Sequence, residues 1–290
     1  MTLIPPFMLD CVVAIGFSDG AGGVGYAGTG FLFGKRHETN AEGQGTYRLF
    51  LVTNRHVLEG NTTAFLRFNP EAATAAQVFD APLKDANGKQ LWFALGDPEV
   101  DIAVMSIDAA VLQTAKIQFG FFADDAHVLA HKDAAAAGLG EGDSVFVLGF
   151  PMGNVGAERN YVVVRQGIIA RIRDSIAGAV KTFLIDAAVF PGNSGGPVVT
   201  RPEIASSTGT KAIANASLIG VVSGYLPYHY VAISQQTKRP RIIFEENSGL
   251  ATVVPVDRVI ETIDGYIAAL APSADSGAAS AAADAVAPAS

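Results

Sequence analysis

The chain has 290 residues, of which 49% are hydrophobic, and it carries a formal net charge of −8 at neutral pH. A chain of this length can bury roughly three quarters of the surface that its unfolded form exposes, so it needs no cross-link to hold a core together. The acidic balance argues against a nucleic-acid partner, because proteins that bind nucleic acids present a basic surface. No apolar stretch reaches the roughly 18 residues that would cross a membrane, so no membrane partner is expected.

The cysteine content and residues 1–9 indicate the cellular compartment of the protein. Cys11 is the single cysteine, so the chain cannot form an internal disulfide, and its apolar neighbours predict a core position. Residues 1–9 lack the positive start of a signal peptide, and Asp10 interrupts their apolar run. The absence of disulfides suits a reducing compartment, and we therefore expect a cytoplasmic protein.

Short apolar runs separated by Gly, Asn, Asp and Pro predict an all-β protein. Residues 10–17 and 28–33 are expected to form the first two strands, followed by a polar hairpin loop over residues 35–45. Between the two strands, residues 20–25 match the pattern G-x-G-x-x-G, but a dinucleotide site also requires a helix that opens on this loop. Because the residues that follow are strand-like, we predict no cofactor.

Further strands complete a first barrel of about six strands, assigned to residues 1–118. We expect these strands over residues 48–53, 62–68, 90–95 and 101–107, with an Ala-rich polar loop before the third of them.

Residues 119–141 are expected to connect the first barrel to a second unit. His127 and His131 are four residues apart and could share a helix face with a bound metal. A zinc site requires a third ligand at a defined spacing, and the chain contains no H-E-x-x-H motif, so no metal site is predicted.

A second barrel with a terminal helix is predicted over residues 142–270. Its strands are expected over residues 142–151, 161–172, 182–188, 217–223 and 241–254. Residues 255–270 then switch to a helical period, because Val256, Val259, Ile260, Ile263 and Ile267 fall on one helix face. Residues 271–290 are rich in Ala and Ser and cannot bury enough apolar surface to become ordered, which predicts a disordered tail.

One stretch contains a candidate nucleophile. An apolar strand leads into Pro191-Gly192-Asn193-Ser194-Gly195-Gly196-Pro197, and a second apolar strand follows. A serine on such a turn can project its hydroxyl into a cleft, and the backbone N–H groups of Gly192 and Ser194 can serve as donors to an oxyanion. The motif alone fits an ordinary hairpin loop equally well.

A candidate base and a candidate acid lie elsewhere in the chain. His56 follows an apolar strand in T-N-R-H-V, and Asp101 begins the apolar run D-I-A-V. A neutral imidazole can accept the serine proton, and a buried aspartate can orient the imidazole and stabilise its charged form.

These three motifs, in this order, resemble those of the chymotrypsin-like (trypsin-fold) serine peptidases, and in detail the bacterial HtrA-like branch. The resemblance spans roughly residues 9–270 and implies two antiparallel six-stranded β-barrels with a carboxyl-terminal helix. It implies a catalytic triad of His56, Asp101 and Ser194, with Gly192 and Ser194 forming the oxyanion hole. Asp97 and Asp108 are nearby carboxylates that do not fit the motif. No segment of the size of a PDZ domain follows, which departs from the HtrA-like pattern.

The resemblance also implies supporting and specificity residues. Ser223 corresponds to a serine that hydrogen-bonds the triad aspartate, and Asn193 replaces the aspartate of a zymogen switch, so no such switch is expected. The primary pocket is expected to be lined by Ala188, Val189, Phe190, Gly224 and Tyr225. Since no charge lies at its base, we expect a small or medium uncharged P1 residue in place of Lys or Arg.

The expected function is that of a serine endopeptidase acting on a protein or peptide substrate through an acyl-enzyme. Two alternatives stay open at this point. A catalytically silent binding module of the same fold is disfavoured by the intact triad, although Arg55 beside His56 is unusual. An esterase would use the same residues.

Overall fold

A computed structural model describes residues 3–39, 45–203, 205–206, 208–270 and 285–286 of the chain. Within these residues, most of the regular structure is β, arranged as an amino-terminal sheet and a closed carboxyl-terminal barrel. The predicted all-β class is confirmed.

The amino-terminal sheet is a half-barrel. Its strands follow the order β14-β3-β2-β1-β4-β5, while β6 pairs with β3 and β7 pairs in parallel with β2. The ladder is therefore open between β5 and β6 in the part of the chain that is described. The strands are β1 (Val12–Ser18), β2 (Val24–Thr39), β3 (Gly45–Thr53), β4 (Thr63–Phe68), β5 (Gln77–Pro82), β6 (Ala103–Ile107), β7 (Phe122–Ala123) and β14 (Ala285–Val286).

Two sequence predictions in this half were wrong in position. The strand expected over residues 90–95 forms only isolated bridges, from Gln90 to Lys84 and from Phe93 to Val104. The strand lies instead at β5, in the stretch that was expected to be a loop. The side chains of β5 are mostly exposed, so its sequence carries little of the apolar alternation that marks a strand.

The first hairpin is also longer than expected. β2 continues through Lys35 and Arg36 to Thr39, where it pairs with Gly45 at the start of β3. Backbone ladder bonds hold these polar residues in strands although their side chains are largely exposed. Residues 40–44, the rest of the predicted loop, lie outside the described residues.

The predicted disordered tail also falls mainly outside the described residues. Within it, only Ala285 and Val286 are described, and their backbones pair with Tyr47 and Thr46 of β3.

The carboxyl-terminal unit is a closed six-stranded barrel in the order β10-β13-β12-β11-β8-β9. β12 and β13 are 16 residues long each, and their outer halves extend beyond the barrel. The strands are β8 (Ser144–Gly149), β9 (Val163–Arg171), β10 (Phe183–Asp186), β11 (Pro197–Thr200), β12 (Leu218–Ile233) and β13 (Pro240–Pro255).

Short helices connect the strands, and one long helix ends the described core. They are α1 (Pro6–Asp10), α2 (Arg55–Leu58), α3 (Ala109–Thr114), α4 (His131–Ala137), α5 (Arg173–Ile176) and α6 (Val256–Leu270). The terminal helix predicted over residues 255–270 is confirmed, and Val256, Val259 and Ile263 on its apolar face are buried. None of the described helices has the length and apolar character needed to cross a membrane.

The two β-units share a hydrophobic core where they meet. Phe31, Phe50 and Phe122 of the sheet belong to the same buried cluster as Phe146 and Phe150 of the barrel. The rings of Phe31 and Phe122 meet edge to face at a centroid distance of 5.6 Å. The strand ends on either side of this shared core are consequently held close to one another.

Candidate active site

His56 and Asp101 are brought together by the pairing of two neighbouring strands. β3 and β6 are antiparallel, and their register ends where Thr53 pairs with Ala103. His56 lies three residues after that end of β3, and Asp101 lies two residues before the start of β6. The two side chains therefore emerge at the same edge of the sheet, within hydrogen-bonding distance.

The contact between the two residues uses both backbone and side chain. His56 Nδ1 lies 2.6 Å from Asp101 Oδ2, and the His56 backbone N–H donates to Asp101 Oδ1 at 3.1 Å. Asn54 Nδ2 also donates to the Asp101 carbonyl at 2.7 Å. A proton on Nδ1 that faces the carboxylate leaves Nε2 as the acceptor, which is the tautomer a general base requires.

Ser223 connects this pair to the barrel. Its Oγ donates to Asp101 Oδ2 at 2.7 Å, and its backbone carbonyl accepts from Ser194 Oγ at 3.1 Å. Burial raises the pKa of Asp101, but hydrogen bonds from His56 and Ser223, together with the nearby His56 charge, bring that pKa below its ordinary value. Among the described residues, no hydrogen bond joins Ser194 to His56, so the serine hydroxyl is directed to the Ser223 carbonyl.

The other two carboxylates near this segment have structural contacts. Asp97 forms an ion pair with Lys181 of the barrel. Asp108 accepts from the backbone N–H of Ala110 at 2.9 Å and caps α3. Neither contact involves His56.

The turn that carries Ser194 depends on glycine. Gly192 and Gly195 have φ of 95° and 85°, in the left-handed region that other residues avoid. A Cβ on Gly195 would collide with the Thr29 carbonyl and the Thr53 hydroxyl. Only a residue without a side chain fits against the neighbouring unit here.

Thr29, which is fully buried in β2, holds the serine turn from the opposite unit. Its N–H donates to the Ser194 carbonyl at 2.9 Å, and its Oγ1 donates to the Gly192 carbonyl at 2.6 Å. The same Oγ1 accepts from the Phe150 N–H at 3.0 Å, and the Thr29 carbonyl accepts from Thr53 Oγ1 at 2.7 Å. Thr29 was not predicted as a site residue; a hydroxyl residue between two glycines in an apolar strand was the available signal.

The expected oxyanion donors are free in this arrangement. Neither the Gly192 N–H nor the Ser194 N–H donates to a protein acceptor within the described residues. The Met152 N–H donates to the Pro191 carbonyl at 2.6 Å. Since C=O and N–H of a trans peptide point in opposite directions, the Gly192 N–H faces away from Met152.

The residues expected to line the specificity pocket flank this turn. Val189 is buried, and its carbonyl accepts from Asn247 Nδ2 at 2.6 Å, whereas Ala188 and Phe190 are exposed. The Arg165 guanidinium lies 5.1 Å from the centroid of the Phe190 ring.

On the other side, Gly224 borders open space, since a Cβ built on it would meet no atom within 4 Å. The Tyr225 hydroxyl donates to Glu245 Oε1 at 3.0 Å. The assignment of these residues to a pocket stays a prediction.

His127 and His131 have separate environments. His127 Nδ1 accepts from the Ala123 N–H at 3.0 Å, and the His131 backbone N–H donates to Asp257. Burial lowers the pKa of both imidazoles. In the described part of the chain, no group of three His, Cys, Asp or Glu side chains is arranged to hold a metal ion.

Comparison with known proteins now identifies the class. Residues 28–203 match the family model of the trypsin-like peptidase domain, and the chain belongs to this family. The serine protease Do-like HtrA of Lactobacillus helveticus is 35% identical over 173 residues, which are 56% of this chain and 33% of that protein. The predicted relationship to HtrA-like serine peptidases is thereby confirmed, although the chain spans only about a third of the length of that curated relative.

A solved structure is also similar. The crystal structure of the Rv3671c protease in its inactive form covers 89% of this chain and 89% of its own, with 18% identity and a TM-score of 0.43.

Loss of the Thr29 hydroxyl should slow the reaction of Ser194. In Thr29→Val the shape is kept, but the Gly192 carbonyl and the Phe150 N–H lose a partner, so the turn is free to shift. We expect labelling of Ser194 by a fluorophosphonate to slow by roughly 10- to 100-fold, because small misplacements of reacting groups have effects of this size. Thr29→Ser retains the hydroxyl and should stay within a few-fold of the wild type; equal rates in all three proteins would contradict this role.

The Asp101 carboxylate should stabilise the fold in a pH-dependent way. Its folded pKa lies below the unfolded value, so its contribution is present above about pH 4 and is lost as the pH falls through the depressed value. The difference in free energy of unfolding between wild type and Asp101→Asn should therefore be largest near neutral pH and shrink below about pH 4. Urea titrations over a pH series measure it, and a constant difference would count against the hydrogen bonds assigned to the Asp101 carboxylate.

Proposed function

We propose that the chain is a serine endopeptidase in which Ser194 is the nucleophile, His56 the general base and Asp101 the group that orients His56. One observation supports this assignment above all. His56, Asp101 and Ser223 form a continuous hydrogen-bonded series that ends at the Ser194 hydroxyl. Two backbone N–H groups on the serine turn have no protein acceptor in the described residues and are available to an oxyanion.

The first half of the reaction forms an acyl-enzyme. The Ser194 hydroxyl turns from the Ser223 carbonyl toward His56 Nε2, transfers its proton there and attacks the carbonyl carbon of the scissile peptide. The carbonyl oxygen becomes negative and accepts hydrogen bonds from the Gly192 and Ser194 N–H groups. The C–N bond then breaks as His56 Nε2 returns its proton to the leaving amine.

The second half hydrolyses the acyl-enzyme by the same groups. A water molecule gives a proton to His56 Nε2 and attacks the ester carbonyl, and the proton then returns to the Ser194 oxygen as the acid is released. Throughout, the Asp101 carboxylate keeps the imidazole in one orientation and stabilises its positive form. Ser223 keeps the carboxylate in place.

Arg55 does not obstruct this arrangement. Its guanidinium donates to the Pro98 carbonyl at 3.0 Å, in the segment that leads to Asp101. This contact connects the residue before His56 with the approach to Asp101, and the silent binding module is disfavoured by the intact triad. The esterase alternative uses the same residues and is separated from peptidase activity by assay alone.

For the substrate, we propose a protein or peptide with a small or medium uncharged P1 residue. Ala188, Val189 and Phe190 supply no charge to pair with Lys or Arg, and an unpaired charge in such a pocket is costly. Methylene differences in an apolar pocket discriminate by only roughly 1–3 kcal/mol, so the preference should be graded.

Removal of Ser194 should abolish turnover. Ser194→Ala is expected to reduce kcat by on the order of 10⁶, and His56→Ala added to it should have little further effect, because the triad acts as a unit. A fluorophosphonate probe should label the wild type on Ser194 and leave Ser194→Ala unlabelled. Substantial hydrolysis of a protein substrate by both single variants would overturn the assignment.

The pocket assignment is tested by profiling cleavage of a peptide library. The wild type should favour Ala, Val, Leu or Thr at P1, and Tyr225→Gly should extend the profile to larger residues. Tyr225→Phe removes only the hydroxyl bound to Glu245 and serves as the matched control, with an unchanged preference. A dominant Arg, Lys or Glu at P1 would refute the uncharged pocket.

A further inference from the structure

The outer halves of β12 and β13 form a two-stranded arm, residues 226–246, that extends beyond the barrel. β12 pairs with β11 no further than Val221, and β13 pairs with β10 only from Leu250 onward. Between these limits the two strands pair only with each other, as far as Ile233 and Pro240. Within the described residues, both outer edges of the arm therefore lack a strand partner.

Both faces of the arm are apolar. Tyr230 pairs with Phe244, with ring centroids 6.4 Å apart, on one face, and Val231 pairs with Ile243 on the other. Eight large apolar side chains of the arm are between 39% and 63% exposed: Leu226, Tyr228, Tyr230, Val231, Ile233, Ile242, Ile243 and Phe244. A two-stranded hairpin is marginally stable in water by itself, and an exposed apolar surface of this kind marks an association site.

The exposed apolar area of the arm is divided between its two faces. With about half of each large side chain exposed, the eight side chains present on the order of 800 Å² in total. A strand that adds at the edge places its own side chains beside those of β13 on both faces. Unpaired backbone edges disfavour immersion in lipid, because hydrocarbon offers no hydrogen-bond partners. They favour another polypeptide strand that adds to the edge.

The outer edge of β13 is complementary to itself. Its sequence is Arg241-Ile242-Ile243-Phe244-Glu245. If two copies run antiparallel with Ile243 opposite the partner's Ile243, then Arg241 lies opposite the partner's Glu245, and Ile242 lies opposite the partner's Phe244. Cross-strand pairs of opposite charge and of aromatic with β-branched residues are both stabilising.

Charges along the arm agree with this register. Lys238, Arg239 and Arg241 lie at or near the tip and form no ion pair among the described residues, although the chain as a whole carries a net charge of −8. Glu245 and Glu246 lie nearer the barrel. An antiparallel arrangement about a two-fold axis places the basic tip of each arm beside the acidic base of the other.

We propose that this arm is a dimerisation element, and that a second copy of the chain adds antiparallel to the outer edge of β13. The result is a four-stranded sheet, β12-β13-β13-β12, with the two-fold axis at Ile243, and it is an isologous interface. Because the arm begins directly after Gly224 and Tyr225, the second copy lies beside the proposed substrate cleft.

A charge exchange tests the register on the full chain. Sedimentation velocity should show a concentration-dependent monomer–dimer equilibrium for the wild type. Arg241→Glu or Glu245→Arg alone places like charges opposite each other and should raise the Kd at least about tenfold. The double variant, Arg241→Glu with Glu245→Arg, restores opposite charges and should return the Kd to within about threefold of the wild type.

Oxidative cross-linking tests the position of the axis. Ile243→Cys should form a disulfide-linked dimer, since directly opposed residues of an antiparallel pair have Cβ atoms about 4.5–5.5 Å apart. Val231→Cys is the matched control, because Val231 lies opposite Ile243 on β12, the strand remote from the two-fold axis, and it should not cross-link. The native Cys11 is buried.

Several outcomes would overturn the proposal. A wild type that remains monomeric at about 100 μM would do so. So would a dimer that is indifferent to both charge reversals, or a monomer that instead sediments with vesicles of anionic phospholipid. None of these outcomes bears on the Ser194 labelling experiment, because the arm proposal does not depend on catalysis.

Discussion

The relative position of the two β-units is the constraint on which the candidate site depends. His56 and Asp101 belong to the amino-terminal sheet, whereas Ser194 and Ser223 belong to the barrel. Among the hydrogen bonds that cross between them, the buried one from Thr29 holds the serine turn, and the partly buried one from Ser223 holds the carboxylate. Because both contacts involve specific donors and acceptors, a shift between the units would disrupt the nucleophile and the base at the same time.

The serine turn and the segment that contacts it contain unfavourable local structure. Met152 has a φ of 56°, which is unusual for a residue with a side chain, and its N–H holds the Pro191 carbonyl. The buried Asn193 Nδ2 has no hydrogen-bond partner among the described residues. Strained backbone and unsatisfied polar groups persist only where the surroundings fix them, and they concentrate at functional sites. Their presence beside Ser194 agrees with a turn that is shaped for the oxyanion donors.

The features with a strong local signal were predictable from the sequence. Three features have such a signal: the apolar strand before His56, the Gly-rich serine turn, and α6 with its helical apolar period. β5 was missed because its side chains are mostly exposed. Residues 90–95 were predicted to be a strand because they are largely apolar, but in the structure they form only isolated bridges.

The contacts of Thr29 and the outer half of β12 could not be predicted for a different reason. Thr29 Oγ1 reaches Gly192, which is 163 residues away in the chain, and no local pattern encodes such a contact. Of the arm, the strand over residues 241–254 was predicted and corresponds to β13, whereas β12 was expected to end at residue 223 and continues to Ile233. In the missed half of β12, apolar residues occupy both faces, so the alternation that identifies a half-buried strand is absent. The missing strand partners of the arm become visible only in the structure, where both of its outer edges are unpaired in the described part of the chain.

The central claim is that Ser194, His56 and the two backbone donors act on one reacting carbonyl. A crystal structure of the complex with a peptidyl boronic acid tests this directly, because the boronate mimics the tetrahedral intermediate. We expect boron bonded to Ser194 Oγ, one boronate oxygen within about 3 Å of both the Gly192 and Ser194 N–H groups, and His56 Nε2 beside the other. A boronate attached to another residue, or attached to Ser194 with its oxygens directed away from these donors, would contradict the account.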